Sequence, residues 1–342
     1  MKKIAVLLLI GILMLSFVGC SPQSTDPTST AGASNSASPS AAKIRVGFAQ
    51  AHSKNAWRLA ETENVKLKLG NAGYEVVFTD AGGSTEKQLA DVEDILAQGV
   101  DYLLFTPNDE NGSLPALEAA NAAGVKVILI DRTVKGEHLV PGVDWVTAIR
   151  SNAINEGERV AKWLVNHIDL TAYSESAPYK IVEITGQPGA STPIDRQQGF
   201  MDVLKDYPMI KVIATQTGQN TRVGAQEVIE SFIQAYGSEI DAVVTQGDEM
   251  LLGTCLGIKS MGLTPNVDIL VMSTADGGKE AMQLVVNGEA AALAECSPMI
   301  GDYCVEVLNT LTRGGTVETI FWTSGRLFTI ENAAEAIKTQ PY

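Results

Sequence analysis

Residues 44–64, "IRVGFAQAHSKNAWRLAETEN", decide how the whole chain is read. An apolar run of strand length passes through a short polar turn into a stretch of helical composition. The unit then recurs. Apolar runs fall at 44–48, 74–78, 102–105, 125–130, 180–184, 210–214, 242–245, 269–272 and 291–294, with helical stretches between them at 85–97, 113–123, 153–165 and 221–234. Continuous apolar strands separated by helices predict an α/β fold whose parallel sheets are covered on both faces. Nine runs over roughly 300 residues are more than one compact sheet of this kind needs, so two lobes are expected. The rhythm breaks between 132 and 151, which places the first crossing between lobes there.

In such sheets ligands gather beyond the carboxyl ends of the strands. The residues that follow the runs are polar: Gln50, Asn55, Trp57 and Arg58; Thr106, Asn108 and Asp109; Asp131 and Arg132; Asp195 and Arg196; Gln246 and Asp248; Asp276; and Glu295. Two such edges facing each other make a cleft of carboxylates, amides and guanidinium groups. That chemistry suits a polar, uncharged ligand.

The chain outside the alternation says where the protein works. Residues 1–20, "MKKIAVLLLIGILMLSFVGC", place two lysines before an apolar run that ends in Gly19-Cys20. This is the layout of a secretory signal over 1–19, too short for a spanning helix. Cys20 after a small residue resembles a bacterial lipobox, with Phe17 departing from the usual leucine, which implies a lipid anchor on Cys20. Residues 21–42 are almost wholly Ser, Thr, Ala, Pro and Gly, a composition too poor in apolar surface to fold and suited to a tether. The expected location is therefore extracytoplasmic, anchored on the outer face of the cytoplasmic membrane or in a periplasm. A net charge of −15 offers no basic face to nucleic acid. Cys255, Cys296 and Cys304 lack zinc-ligand spacing and sit in apolar surroundings, as buried thiols do.

The motifs "VGFAQ…NAWRLAE", "LIDR", "GASTPIDRQQGF", "TRVGAQEVIESFI", "GDEMLLG" and "NGEAAALAECSP", in this order, resemble the type I periplasmic sugar-binding proteins of ABC transporters. Ribose-binding members are similar and galactofuranose-binding members closer. The resemblance covers everything from Lys43 onward. It implies two Rossmann-like lobes joined by a three-segment hinge, the amino-terminal lobe taking 43–148 plus 296–322 and the other 149–295 plus 323–342. It implies a monosaccharide (galactofuranose, ribose or a related pentose or hexose) held between the lobes, no cofactor, and a monomer that docks on an ABC permease with its ATPase. A sensory lipoprotein feeding a chemoreceptor or two-component sensor is the alternative.

The resemblance also assigns roles. Trp57, elsewhere more often a core residue, would cover the apolar face of a sugar ring, and Arg58 would donate to its hydroxyl edge. Asn55 would add an amide contact or serve only as a helix N-cap. Asp131 would accept from adjacent hydroxyls with Arg132 beside it, Arg196 would reach in from the second lobe with Asp195 as a structural partner, and Asp276 and Glu295 would accept further hydroxyls. Asp248 is expected to cap its helix. Two departures, Gly247 in place of an asparagine and Asn220 in place of a phenylalanine, forbid transfer of the galactofuranose assignment. A regulator is excluded by the leader where a helix-turn-helix would stand. An enzyme is not expected: His52, His138 and His167 form no triad or metal pattern, and neither G-x-S-x-G nor a P-loop occurs. A glycoside hydrolase using Asp131 and Asp276 is disfavoured because arginine neighbours keep carboxylates ionised.

Overall fold

The computed structural model describes residues 43–342; the signal, Cys20 and the tether lie outside the described residues. The chain begins with β1 (Arg45–Gln50), α1 (Ala56–Asn71), β2 (Glu75–Asp80), α2 (Thr85–Ala97), β3 (Tyr102–Phe105), α3 (Leu114–Ala122), β4 (Lys126–Ile130) and β5 (Thr147–Ser151). It crosses into α4 (Ala153–His167), β6 (Tyr179–Thr185), α5 (Ser191–Leu204), β7 (Ile210–Thr217), α6 (Arg222–Tyr236), β8 (Ala242–Thr245), α7 (Asp248–Ser260), β9 (Leu270–Ser273), α8 (Lys279–Val286) and β10 (Ala292–Ala294). It returns for α9 (Gly301–Thr312) and β11 (Ile320–Thr323), then crosses again to β12 (Leu327–Thr329) and α10 (Ala333–Ala336).

The strands form two six-stranded sheets, β11-β5-β4-β3-β1-β2 and β12-β10-β9-β8-β6-β7. All pairings are parallel except that of β12 with β10. Each sheet is buried on both faces, as alternation along β3 shows: Leu104 packs with Val65, Leu69 and Val307 from α1 and α9, whereas Leu103 and Phe105 pack with Val92, Ile95 and Leu117 from α2 and α3. Strand order reverses between β1 and β3 in one sheet and between β6 and β8 in the other. Those two switch points are where ligand crevices form.

The expected lobe boundaries shift slightly. β5 pairs with β4 through Ile149 and with β11 through Ser151, so the first crossing lies at Asn152 and not at the 148/149 break. β11 likewise carries the first sheet through Thr323. The second crossing runs from Glu295 to Ile300. No helix among the described residues is long and apolar enough to cross a membrane.

Candidate functional site

The turn after β1 ends at Asn55, whose extended backbone and Oδ1, accepting from the Arg58 N–H at 2.9 Å, cap α1. Trp57 and Arg58 are thereby fixed in the first helical turn. The Arg58 guanidinium donates from Nη1 to Glu61 Oε2 and from Nη2 to Asp131 Oδ2, both at 2.6 Å, and lies 4.7 Å from the centre of the Trp57 ring. Gln50 Nε2 braces Glu61 at 3.1 Å. The indole is held at its other end, where Nε1 donates to the Cys296 carbonyl oxygen at 2.5 Å in the second crossing. Trp57 is only 9 % exposed, and Arg58 covers part of its ring.

Asp131 follows β4 with a φ of 60°, Arg132 beside it donates to the carbonyl oxygens of Pro107 and Asn108, and Arg132 Nε is buried without a hydrogen-bond partner, 3.8 Å from Asp131 Oδ2. In the second lobe α4 and α5 cross so closely that a Cβ on Gly157 would stand 2.0 Å from the Arg196 carbonyl oxygen, and one on Gly199 1.9 Å from that of Ile154. Only glycines permit this approach, which lets Glu156 Oε2 meet Arg196 Nε at 2.8 Å. Asp276, with a φ of 79°, accepts from the backbone N–H of Asp248 at 2.9 Å. Three of the five non-glycine residues with positive φ among the described residues, Asp131, Asn220 and Asp276, line one cavity. Backbone held in this costly region clusters at functional sites.

That cavity, about 470 Å³ of empty space, lies between the two switch points. The first lobe contributes His52, Asn55, Trp57, Arg58, Asp131 and Arg132; the second contributes Thr192, Pro193, Arg196, Asn220, Gln246, Gly247, Glu249, Met250 and Asp276. Three buried guanidinium groups, those of Arg58, Arg132 and Arg196, are answered by Glu61, Asp131 and Glu156. With Asp276 as one further carboxylate, the near-balance favours a neutral ligand with many hydroxyls over an anion.

Burial would raise the Asp131 carboxyl, but Arg58 and Arg132 outweigh it and hold Asp131 below the ordinary carboxylate range. Burial and the neighbouring cations push His52 down to about 2. Its Nδ1 accepts from the Lys54 N–H, so the neutral ring keeps its proton on Nε2 and presents a donor. Loss of solvent lifts Asp276 to about 6 against the pull of Arg196. Asp276, beside the buried Asp248 carboxyl that loss of solvent also pushes up, therefore titrates just below neutrality. As an ionised acceptor it is lost when pH falls through about 6, so affinity for a hydroxylated ligand should drop several-fold between pH 7.5 and 5. Titration calorimetry across that range checks this, and the Asp276→Asn protein should show a flat profile.

Seven expected residues, Asn55, Trp57, Arg58, Asp131, Arg132, Arg196 and Asp276, surround this cavity; Glu295 does not. The Glu295 carboxylate is taken by Arg326 Nε and Nη2 at 2.8 and 3.0 Å and by Gln340 Nε2 at 3.2 Å, so it fastens the third crossing and the C-terminal segment. Asp248 does not cap α7 either. Its carboxylate accepts from the N–H groups of Gly277 and Gly278, holding the turn that carries Asp276. Asp195 pairs with Arg150 across the lobes at 2.5 Å. Asn55 both caps α1 and lines the cleft. Cys255, Cys296 and Cys304 are free and buried. The sequence reading missed His52, Glu61 and Glu156; the i,i+3 spacing of Arg58 and Glu61 was the one local signal.

The lobes are in direct contact beyond the cavity. The Glu110 N–H donates to the Gly189 carbonyl oxygen at 2.8 Å, the Thr133 N–H to Ser191 Oγ at 3.0 Å, and Gln187 Nε2 to Asn108 Oδ1 at 3.0 Å. This is a closed arrangement.

A family model described as a periplasmic binding protein domain matches residues 46–316. The galactofuranose-binding protein YtfQ of Escherichia coli (strain K12) is 34 % identical over 303 residues, 87 % of this chain and 92 % of that protein. A solved structure from Mycobacterium smegmatis in complex with β-D-fucofuranose superposes with a TM-score of 0.81 at 31 % identity, covering 86 % of this chain and 94 % of that one. The binding component of the arabinose ABC transporter from Shewanella sp. ANA-3, bound to α- and β-L-arabinofuranose, gives 0.79 at 32 % identity over 87 % of this chain and 96 % of that one. The curated relative is a binding protein and not an enzyme, so Asp131 and Asp276 are not read as a hydrolytic pair. With the two-sheet fold and most of the described chain matched, the protein belongs to the periplasmic binding protein family, among its type I sugar-binding members.

Proposed function

We propose that the protein binds a monosaccharide in its furanose form between the lobes and delivers it to an ABC permease, anchored by lipid at Cys20 and acting as a monomer. The observation that carries this reading is the convergence of Trp57, Arg58, Asp131 and Arg132 from one lobe with Arg196 and Asp276 from the other around one polar cavity. Furanose-binding relatives support the ring form, and the arabinose transporter component supports uptake over sensing. Closure would remove the sugar from water and bring hydroxyls against fixed donors and acceptors, so a misplaced hydroxyl leaves a buried group unpaired. A micromolar complex needs about −8 kcal/mol, within reach of several charge-assisted hydrogen bonds and one apolar ring contact.

The test is calorimetry against L-arabinose, D-galactose, D-fucose and D-ribose, followed by NMR of the bound sugar labelled with carbon-13 at C1. A furanose anomeric signal is expected, together with an apparent affinity reduced by the small furanose fraction in solution. A bound pyranose signal, or no binding across the panel, overturns the reading. Trp57→Ala is expected to weaken binding by more than about tenfold through loss of aromatic contact; an unchanged affinity would assign the ring to the core. Loss of labelled-sugar uptake on gene deletion, with chemotaxis retained, separates import from sensing.

A further inference from the structure

Beside the sugar cavity lies a second one, about 880 Å³ of empty space, which shares Asn55, Trp57, Glu249 and Asp276 with it. Its character differs. Ala56, Ala60, Leu252, Trp57 and Tyr342 make most of its lining apolar, while Asp248, Lys279 and Glu280 add charged groups. Both rings are fixed at their polar ends by the same carbonyl: the Cys296 oxygen accepts from Trp57 Nε1 at 2.5 Å and from the Tyr342 hydroxyl at 3.3 Å. The Tyr342 hydroxyl also donates to the Asp276 carbonyl oxygen at 2.6 Å, tying this wall to the turn that carries the shared carboxylate. Two anchored aromatic rings with small aliphatic side chains between them suit a flat group that has an apolar face.

We infer that the second cavity is a subsite for a ring substituent on the sugar, so that the protein takes up furanosides as well as free furanoses. This rests on the furanose reading of the first cavity. Trp57, which lines both cavities, is then shared between the sugar and its substituent. Because the substituent enters a preformed apolar groove whose rings need no reordering, its contribution adds to that of the sugar.

The experiment compares methyl with p-nitrophenyl α-L-arabinofuranoside, and methyl with p-nitrophenyl β-D-galactofuranoside, by calorimetry on the intact protein. All four are locked in the furanose form, so the pairs differ only in the substituent. In the pair whose methyl member binds, the aryl glycoside is expected to bind at least tenfold tighter. Ala60→Phe, which fills the groove from α1, and Leu252→Asn, which makes its wall polar, should each reduce that gain to less than threefold while methyl furanoside affinity stays within twofold. Equal or weaker aryl binding, or a gain that survives both variants, overturns the subsite and leaves the sugar reading standing. Binding of free sugar with rejection of all four glycosides also overturns the subsite alone. Failure of every free sugar and glycoside overturns both.

Discussion

Arg58→Met is expected to abolish sugar binding and to destabilise the fold by about 3–5 kcal/mol, the loss typical of breaking a buried ion pair from one side. Arg58 is 4 % exposed and grips two carboxylates that do not touch each other, Glu61 on its own helix and Asp131 at the end of β4. Removing it strands the Glu61 charge, leaves Asp131 only the more distant Arg132 at 3.8 Å, and uncovers the Trp57 ring that its guanidinium overlies. Glu61 is completely buried and keeps only the Gln50 amide as a donor. Burial already pushes its carboxyl up while Arg58 pulls it back. In the variant the raised carboxyl binds more protons folded than unfolded above the ordinary carboxylate range. The deficit should therefore deepen as pH rises, and urea unfolding at pH 5 and pH 8 would show it. Arg58→Lys should not restore binding, because a compact ammonium lacks the rigid fork whose two ends reach Glu61 and Asp131 separately. A loss below about 1 kcal/mol at pH 8 would mean that the Glu61–Arg58–Asp131 chain is not what holds this edge of the cleft.

The same cluster shows what the sequence could disclose. Helix 85–97 was legible to the residue because Ser84 caps it and the apolar period of Val92 and Ile95 is uninterrupted. β3 and β8 were legible because both are unbroken buried apolar runs. β5 was not: "TAIRS" is wholly buried yet reads as mixed polarity, since Arg150 leaves the strand to meet Asp195 in the other lobe. β11 and β12 escaped as short edge strands, the second of them paired antiparallel. Position at strand ends was enough to nominate Asp131, Arg132 and Asp276. It misplaced Glu295, because the partners that claim that carboxylate, Arg326 and Gln340, lie 31 and 45 residues further along the chain. Glu156 was invisible for the same reason: its pairing with Arg196 depends on two helices packing through Gly157 and Gly199, and periodicity carries no signal of that crossing.

Gly189→Ala is expected to weaken sugar binding more than a hundredfold while leaving unfolding stability within about 2 kcal/mol. Gly189 has a φ of +80°, which costs a residue with a Cβ about 1–2 kcal/mol. The larger effect is steric. A Cβ at 189 would lie 1.8 Å from Asp109 Oδ2 on the opposite lobe. Asp109 cannot swing away cheaply, because its Oδ1 accepts from the N–H groups of Asn111 and Gly112 at 3.0 and 2.6 Å. The added methyl therefore acts as a wedge. It also separates the neighbouring Glu110–Gly189 and Asn108–Gln187 hydrogen bonds that join the lobes. A cavity whose walls come from two lobes loses half its partners when they part, so a state that cannot close binds sugar through one lobe alone. Each lobe keeps its own core, which is why stability should change little. Calorimetry should report the loss, and X-ray scattering with sugar present should show the variant more extended than the parent. Asp109→Ala removes the obstructing carboxylate, so the Gly189→Ala/Asp109→Ala protein should recover at least tenfold of the lost affinity. Full binding by the single variant would mean that the closed contact at Gly189 is not required for the sugar to be held.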